Sequence, residues 1–212
     1  MIQKISFILA GCLAFICVPV QADYLLTEAG SGTPGFSAGN NTLGYSFTVR
    51  SSPLQVSALG LWDYGADGLL NAHEVGLWDM SGTLLASVRV PSGTAAFLAG
   101  EFRYAPLTAP VVLDAAQSYV LGVRYPYDMD PDELRDFFLP STPAFYPAVT
   151  PGFWRWIQDA GFTFPVNVYD GGSAAVGPSM EFVVVPEPGV GALSLAGGLV
   201  LGLWRGLRRR AR

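Results

Sequence analysis

Between residues 43 and 185 the chain repeatedly alternates apolar and polar side chains with a period of two, and this alternation constrains its fold more than any other feature. Ser118 to Tyr125 sets Tyr119, Leu121, Val123 and Tyr125 against Ser118, Gly122 and Arg124. Leu43 to Arg50 puts Tyr45, Phe47 and Val49 on one side, and Thr83 to Val90 puts Leu84, Ala86, Val88 and Val90 there. Ser179 to Val185 presents Met180, Phe182 and Val184. Shorter candidates are Leu54–Trp62, His73–Asp79, Glu101–Tyr104, Pro110–Leu113 and Phe162–Tyr169. Successive side chains of an extended strand point to opposite faces, so each such segment has one face to bury and one to solvate. With Gly 25 and Pro 16 in 212 residues, turns rather than long helices should join these strands. The expected fold is all-β, an antiparallel β-sandwich of jelly-roll-like form. Only Asp130 to Phe138 reads as helix, with Pro131 early and acids in its first turn.

The two chain ends have a different composition. Lys4 is the single charge before an apolar run from Ile5 to Val20, and Val20-Gln21-Ala22 offers a cleavage site that would make Asp23 the mature N-terminus. Leu9-Ala10-Gly11-Cys12 offers a competing lipoprotein reading with Cys12 acylated, but it leaves barely enough apolar region before the cut; such regions need about 7–15 residues. Cys12 and Cys17 both fall inside this segment. A domain starting at Asp23 therefore has no disulfide, thiolate nucleophile or thiolate metal site.

At the other end, Gly189 to Trp204 carries no charge and is followed by Arg205, Arg208, Arg209, Arg210 and Arg212. As a helix that run would span about 24 Å at ~1.5 Å per residue. A hydrocarbon core is ~30 Å thick, a gap that an interfacial Trp204 and snorkelling arginines can close. The positive-inside rule keeps the arginines cytoplasmic and residues 23–188 outside. Gly198 and Gly202 form a small-xxx-small pair suited to packing two helices.

Charge separates the regions further. Residues 23–188 hold all 17 acids and six of the 12 basic residues, a net charge of 6 − 17 = −11, and contain no lysine. A domain this acidic is repelled by nucleic acid and by anionic membrane surfaces, so no nucleic-acid partner is expected.

The order Val185-Pro186-Glu187-Pro188, then a Gly/Ala/Leu-rich stretch, then an Arg-rich end resembles the PEP-CTERM sorting signal of Gram-negative bacteria. The resemblance implies that Pro186, Glu187 and Pro188 are recognised by the membrane enzyme exosortase. It also implies that residues 189–212 are discarded on the way to the surface or matrix. Two prolines keep such a strip extended. A permanent single-pass anchor behind a Pro-rich linker is the alternative. Within the domain, Leu59 to Val90 resembles a small bacterial surface domain of unassigned function that occurs in PEP-CTERM proteins. The matching positions are His73, Val75, Leu77, Trp78, Gly82, Leu84, Leu85 and Ala86, and Tyr104 to Tyr125 resembles its closing strands. That resemblance spans roughly residues 43–127 and implies an extracellular β-sandwich without established chemistry.

Candidate chemistry is sparse. His73 is the single histidine and no Gly-x-Ser-x-Gly elbow is present, so a Ser-His-Asp arrangement has little to build on; His73 more simply orients the turn before its strand. Zinc would need several carboxylates beside one histidine. Asp63, Asp67 and Asn71 flank a Gly-containing loop and are the best candidate calcium ligands, though tight hairpin loops select the same residues. Asp128, Asp130, Asp132, Glu133 and Asp136 form a second acidic cluster, explained equally by a solvated helix start. Glycoside hydrolysis needs two carboxylates about 5–10 Å apart, and nothing singles out a pair. Phe153-Trp154-Arg155-Trp156 lies in a Pro/Gly-rich stretch, where aromatic faces can stack on sugar rings. Alternatively, Trp154 and Trp156 share one face of a core strand.

Three segments are therefore expected: a signal peptide (1–22), an extracytoplasmic β-sandwich (23–182) and a sorting signal (183–212) with a transmembrane helix at 189–204. The expected partners are the general secretion machinery, exosortase, the inner membrane before processing, and extracellular polysaccharide. No cofactor is expected apart from the Ca²⁺ alternative. The expected role is structural or adhesive rather than enzymatic, with a secreted glycan-cleaving enzyme as the alternative.

Overall fold

A computed structural model describes residues 21–26, 33–35, 40–126, 134–138, 145–159, 161–169 and 173–186; at 33–35, 134–138 and 173–176 it describes the backbone alone. The described residues form strands and one short 3-10 turn, Tyr64–Ala66. Residues 1–20 and 187–212, which include the expected signal core, Glu187, Pro188 and the expected membrane helix, lie outside them. No helix among the described residues is long and apolar enough to cross a membrane.

The strands, numbered in chain order, form two large antiparallel sheets and one small one. The six-stranded sheet runs β12 (Asn167–Tyr169), β11 (Val149–Gln158), β3 (Asn41–Val49), β9 (Ser118–Tyr125), β5 (His73–Asp79), β6 (Leu84–Val90). The five-stranded sheet runs β1 (Asp23–Tyr24), β14 (Pro178–Val184), β4 (Leu54–Trp62), β8 (Phe102–Leu113), β7 (Phe97–Ala99). The small sheet runs β13 (Ser173–Val176), β10 (Leu134–Phe138), β2 (Thr33–Gly35). The fold is all-β.

One apolar core joins the large sheets. Register aligns Leu43, Val123 and Val75 across three strands, and Tyr45, Leu121 and Leu77 beside them. All six are buried, as are Leu54, Val56, Leu59, Leu61, Met180 and Phe182 of the facing sheet. Each such side chain contributes roughly 1.5–3 kcal/mol through burial. On β4 Ser57 is an extra residue against Glu181 and Phe182 of β14, a bulge that changes the phase. Without it, Val56 and Leu59 could not both be buried on one face.

Four expectations change. Residues 134–138 do not continue a helix: β10 pairs with β13 on one side and β2 on the other. Ladders on both sides satisfy its backbone, and that tertiary gain outweighs the weak local helix signal. Leu84 does not join the core face of β6. A register shift opposite Leu77 and Trp78 leaves Leu85 as the extra residue, so Leu84 pairs with Trp78 and is exposed, whereas Leu85 packs on the core. Phe102–Tyr104 of the expected Glu101–Tyr104 strand and the whole of Pro110–Leu113 belong to one strand, β8. Of Phe162–Tyr169 only β12 is strand. In addition, β14 runs two residues past the expected domain end at 182, pairing Val183 with Gln55 and Val184 with Leu54.

Candidate functional site

The aromatic segment around Trp154 lies in a strand. β11 pairs with β3 along nearly its whole length, with a shift between Pro151 and Trp154. Proline gives no N–H to a ladder and is tolerated at such bulges. Ser46 fills the gap: its hydroxyl accepts from Phe153 N at 3.0 Å. Trp154 stands opposite Tyr45 and Trp156 opposite Leu43, so both indoles share the face of core residues and pack, half-buried, against them. The ring of Tyr169 meets Trp154 edge-on at 5.2 Å. Phe153 (59 % exposed), Val166, Val168 and Tyr169 form the solvent-facing rim of this edge. The indole N–H of Trp154 is buried without a hydrogen-bond partner among the described residues.

The opposite face of the same sheet carries a feature that sequence reading missed. Register places Val168, Arg155, Gly44, Gly122, Gly76 and Ser87 in one transverse row. The three central glycines leave a floor without side chains, and the indole of Trp78 lies across it. A Cβ at Gly76 would stand 2.5 Å from Trp78 Cη2, and one at Gly122 3.2 Å from Cζ3. Residues 161–166 strap over this indole, bringing Phe162 to 5.1 Å and Phe164 to 6.4 Å between ring centroids. Asp159 anchors the strap: its N–H donates to Asn40 O at 3.0 Å, and its carbonyl accepts from Arg124 Nη1 at 3.0 Å. Trp78 is thereby 2 % exposed. Arg155 sits beside the strap with its guanidinium carbon 5.6 Å from the Phe164 centroid. Its Nε is buried without a hydrogen bond among the described residues, and desolvation lowers its pKa. Glycines at unrelated positions become a row only when register is known, which is why the sequence hid it.

The loop carrying the calcium alternative is organised by an internal cation. Arg103 Nε donates to Asp63 Oδ2 at 2.6 Å, with side-chain exposures of 4 % and 0 %. The same guanidinium donates to the carbonyls of Thr94 (3.2 Å), Ala96 (3.1 Å) and Ala66 (3.1 Å). Asp63 also accepts from Gly68 N at 3.1 Å. At Gly68 (φ +117°) a Cβ would press on the Gly93 backbone at 2.9 Å, so the two loops close only with glycine there. Asp67 is exposed and Asn71 half-buried. A metal at Asp63 would have to displace Arg103, and among the described residues no three His, Cys, Asp or Glu are grouped for a metal.

Further sequence candidates fall elsewhere. His73 is 1 % exposed and its Nδ1 meets Arg124 O at 2.8 Å, tying β5 to β9. Asp23 opens β1 opposite Phe182 and accepts from Tyr146 OH at 2.9 Å; Ala22 precedes it and Pro186 follows β14 exposed. The domain's two ends thus run side by side. Asp128, Asp130, Asp132 and Glu133 lie outside the described residues. Asp136 falls in β10, where the backbone alone is described.

With this geometry in place, the comparison with protein families is decisive at one level. Residues 31–172 match the family described as Domain of unknown function (DUF4082). The chain belongs to that family. The match extends well beyond the stretch whose resemblance was legible, and the DUF4082 description assigns no activity. No curated protein matches the chain. Among solved structures, the DUF4082 chain aligns with the infectious bursal disease virus Gx strain structure at 14 % identity and TM-score 0.25. That alignment covers 93 % of this chain and 48 % of the viral one. A mutant VP2 protein of the same virus, in T=1 particles, gives 11 % identity and TM-score 0.22 over 87 % and 45 %. The chain thus spans about half the length of these viral chains.

Proposed function

We propose that this DUF4082 protein is an exported, non-enzymatic β-sandwich of jelly-roll-like form. It is delivered by the general secretion machinery and exosortase to the cell surface or extracellular matrix of a Gram-negative bacterium. There it acts structurally or adhesively by binding extracellular polysaccharide. The single observation that carries the binding role is the β11–β12 edge: exposed Tyr169 meets half-buried Trp154 edge-on, and Phe153 is exposed on the same strand as Trp154. Flat aromatic faces suit a sugar ring, which offers its C–H faces for stacking. The sorting role draws on the Pro186-Glu187-Pro188 motif and the charge-free run after it. Adjacent domain ends also support it, because both membrane attachments would leave from one edge of the five-stranded sheet.

Titrating the secreted protein with polysaccharide from the producing cells, followed by tryptophan fluorescence with and without Ca²⁺, tests the binding role. A saturable shift lost in Tyr169→Ala and Trp154→Ala is expected. No shift would sink the binding role, and release of reducing ends would identify a glycan-cleaving enzyme instead. A chain that stayed cytoplasmic on fractionation would end the sorting proposal.

A further inference from the structure

Open sheet edges are where a β-protein is exposed to strand addition, and short edge strands are one way of limiting it. The edge strands described here are two residues in β1, three each in β2, β7 and β12, and four in β13. β6 differs. It ends the six-stranded sheet with seven residues, Leu84–Val90, without proline or lysine and with Arg89 as its one charge. The core layer also ends unfinished there. Val75, Leu77, Leu121 and Val123 are fully buried on the neighbouring strands, whereas on β6 Leu85, Ala86 and Val88 are only half-covered and Val90 alone is fully buried. A further strand would extend that layer and pair the backbone groups of β6 that face away from β5, where no described strand follows.

We propose that β6 is a self-association edge: two copies of this chain pair antiparallel through Ala86–Val90, with the two-fold axis at Val88, fusing two six-stranded sheets. The register follows from side-chain direction and charge. Leu85 is the extra residue of the bulge, so regular pairing starts at Ala86. Centred on Val88, inward Ala86 faces Val90 of the second copy and Val88 faces its equivalent. On the outer face, Ser87 stands opposite Arg89. Centring on Ser87 would set inward Leu85 against outward Arg89, and centring on Arg89 would oppose two like charges. A second copy is thus accommodated in one register, with apolar residues on the inner face and a hydroxyl beside each arginine on the outer. The net charge of −11 on residues 23–188 opposes the approach of two copies, so the dimer tightens as salt screens that repulsion.

The full-length chain carrying Val88→Cys, made in the producing cells and run on a non-reducing gel, should give a disulfide-linked dimer. The parent chain, with Cys12 and Cys17 as its only cysteines, should not. Ser87→Cys alone should cross-link far less, because its partner is Arg89. Ser87 is exposed, so charge changes there spare the fold, which an unchanged melting temperature verifies. Ser87→Glu should tighten the dimer in sedimentation, and Ser87→Arg should weaken it, each by roughly two- to thirtyfold for two cross-strand pairs. A Val88→Cys chain that stays monomeric on the gel, or Ser87 variants that sediment like the parent, would overturn the proposal. Stronger cross-linking from Ser87→Cys than from Val88→Cys would overturn the register.

Discussion

Arg103 and Arg155 sit on different sheets of one acidic domain, and they are treated in opposite ways. Arg103 is sealed in and multiply bonded: it grips the Asp63 carboxylate and three carbonyls from two loops. Arg155 rests against the Phe164 ring, and its Nε has no hydrogen bond among the described residues. A buried cation bonded on all three nitrogens fixes a geometry, because every group it holds would be orphaned by its movement. A desolvated cation without such bonds costs stability at its position. The loop end around Asp63 is therefore built for rigidity, and the β11–β12 edge keeps unspent hydrogen-bonding capacity beside exposed aromatics.

Removing one partner of the buried pair should have the largest effect. Asp63→Asn or Arg103→Met leaves a lone buried charge, and the arginine change also orphans three carbonyls. A loss of about 3–5 kcal/mol is expected in denaturant unfolding. The double variant should cost clearly less than the sum of the two, since the second change no longer strands a charge. Arg155→Met should behave oppositely, leaving stability within about 0.5 kcal/mol or slightly raised. Equal losses at the two arginines would break the comparison.

The glycine floor should come next. Gly76→Ala puts a methyl between the Trp78 and Phe162 rings, at 2.5 and 2.6 Å, and overpacking of this kind costs about 1–3 kcal/mol. If the strap instead lifts, stability will hold while Trp78 becomes accessible to a fluorescence quencher. Either result shows how firmly residues 161–166 are seated.

How much of this was readable beforehand depended on range. β4, β5 and β9 match their expected limits from end to end, since alternation is a local property of each strand. β11 hid behind Pro151 and Gly152, which read as loop until a bulge and Ser46 absorb them. The Asp63–Arg103 pair joins residues 40 apart in sequence, and no local pattern announces it. Asp63 looked like a metal ligand because a carboxylate in a glycine loop is the visible half of the arrangement; its cation comes from a strand. The aromatic segment posed two alternatives, and its register gives Trp154 and Trp156 a common face with the core while Phe153 remains outside.

Alkaline pH should separate core from edge. Burial pushes the hydroxyl pKa of Tyr45 well above its ordinary 10.0, and that of Tyr104 is raised as well. Tyr45 donates to Pro178 O at 2.7 Å, and Tyr104 to Ser179 Oγ at 2.8 Å. Both must stay protonated in the fold, while the unfolded chain ionises near 10. Their contribution is complete below that pH and is lost as pH rises through the folded values. Unfolding free energy should fall steadily above pH 10, and Tyr45→Phe should flatten part of that slope at a neutral-pH cost of about 1–3 kcal/mol for the orphaned Pro178 carbonyl. An unchanged slope would mean that Tyr45 ionises without unfolding.

The smallest effect should come from a second aspartate that organises a loop, this time in water. Asp79 Oδ1 accepts from Ser81 Oγ at 2.6 Å, Ser81 N at 2.8 Å and Thr83 N at 2.9 Å, closing the β5–β6 turn. The Ser81 hydroxyl first, then the Thr83 N–H, holds this carboxyl below its ordinary 3.8. A lowered folded value means that the turn's contribution is present above the unfolded pKa and fades as pH falls below it through the folded one. Asp79→Asn should therefore mimic acid at neutral pH and lose its effect once the parent turn is protonated. Because this carboxylate is exposed, water replaces what the turn gives up, whereas nothing replaces what Asp63 gives up. If Asp79→Asn matched Asp63→Asn, burial would not be what distinguishes the two loops. The small difference expected at Asp79 is thus the control that attributes the large one at Asp63 to a charge stranded away from solvent.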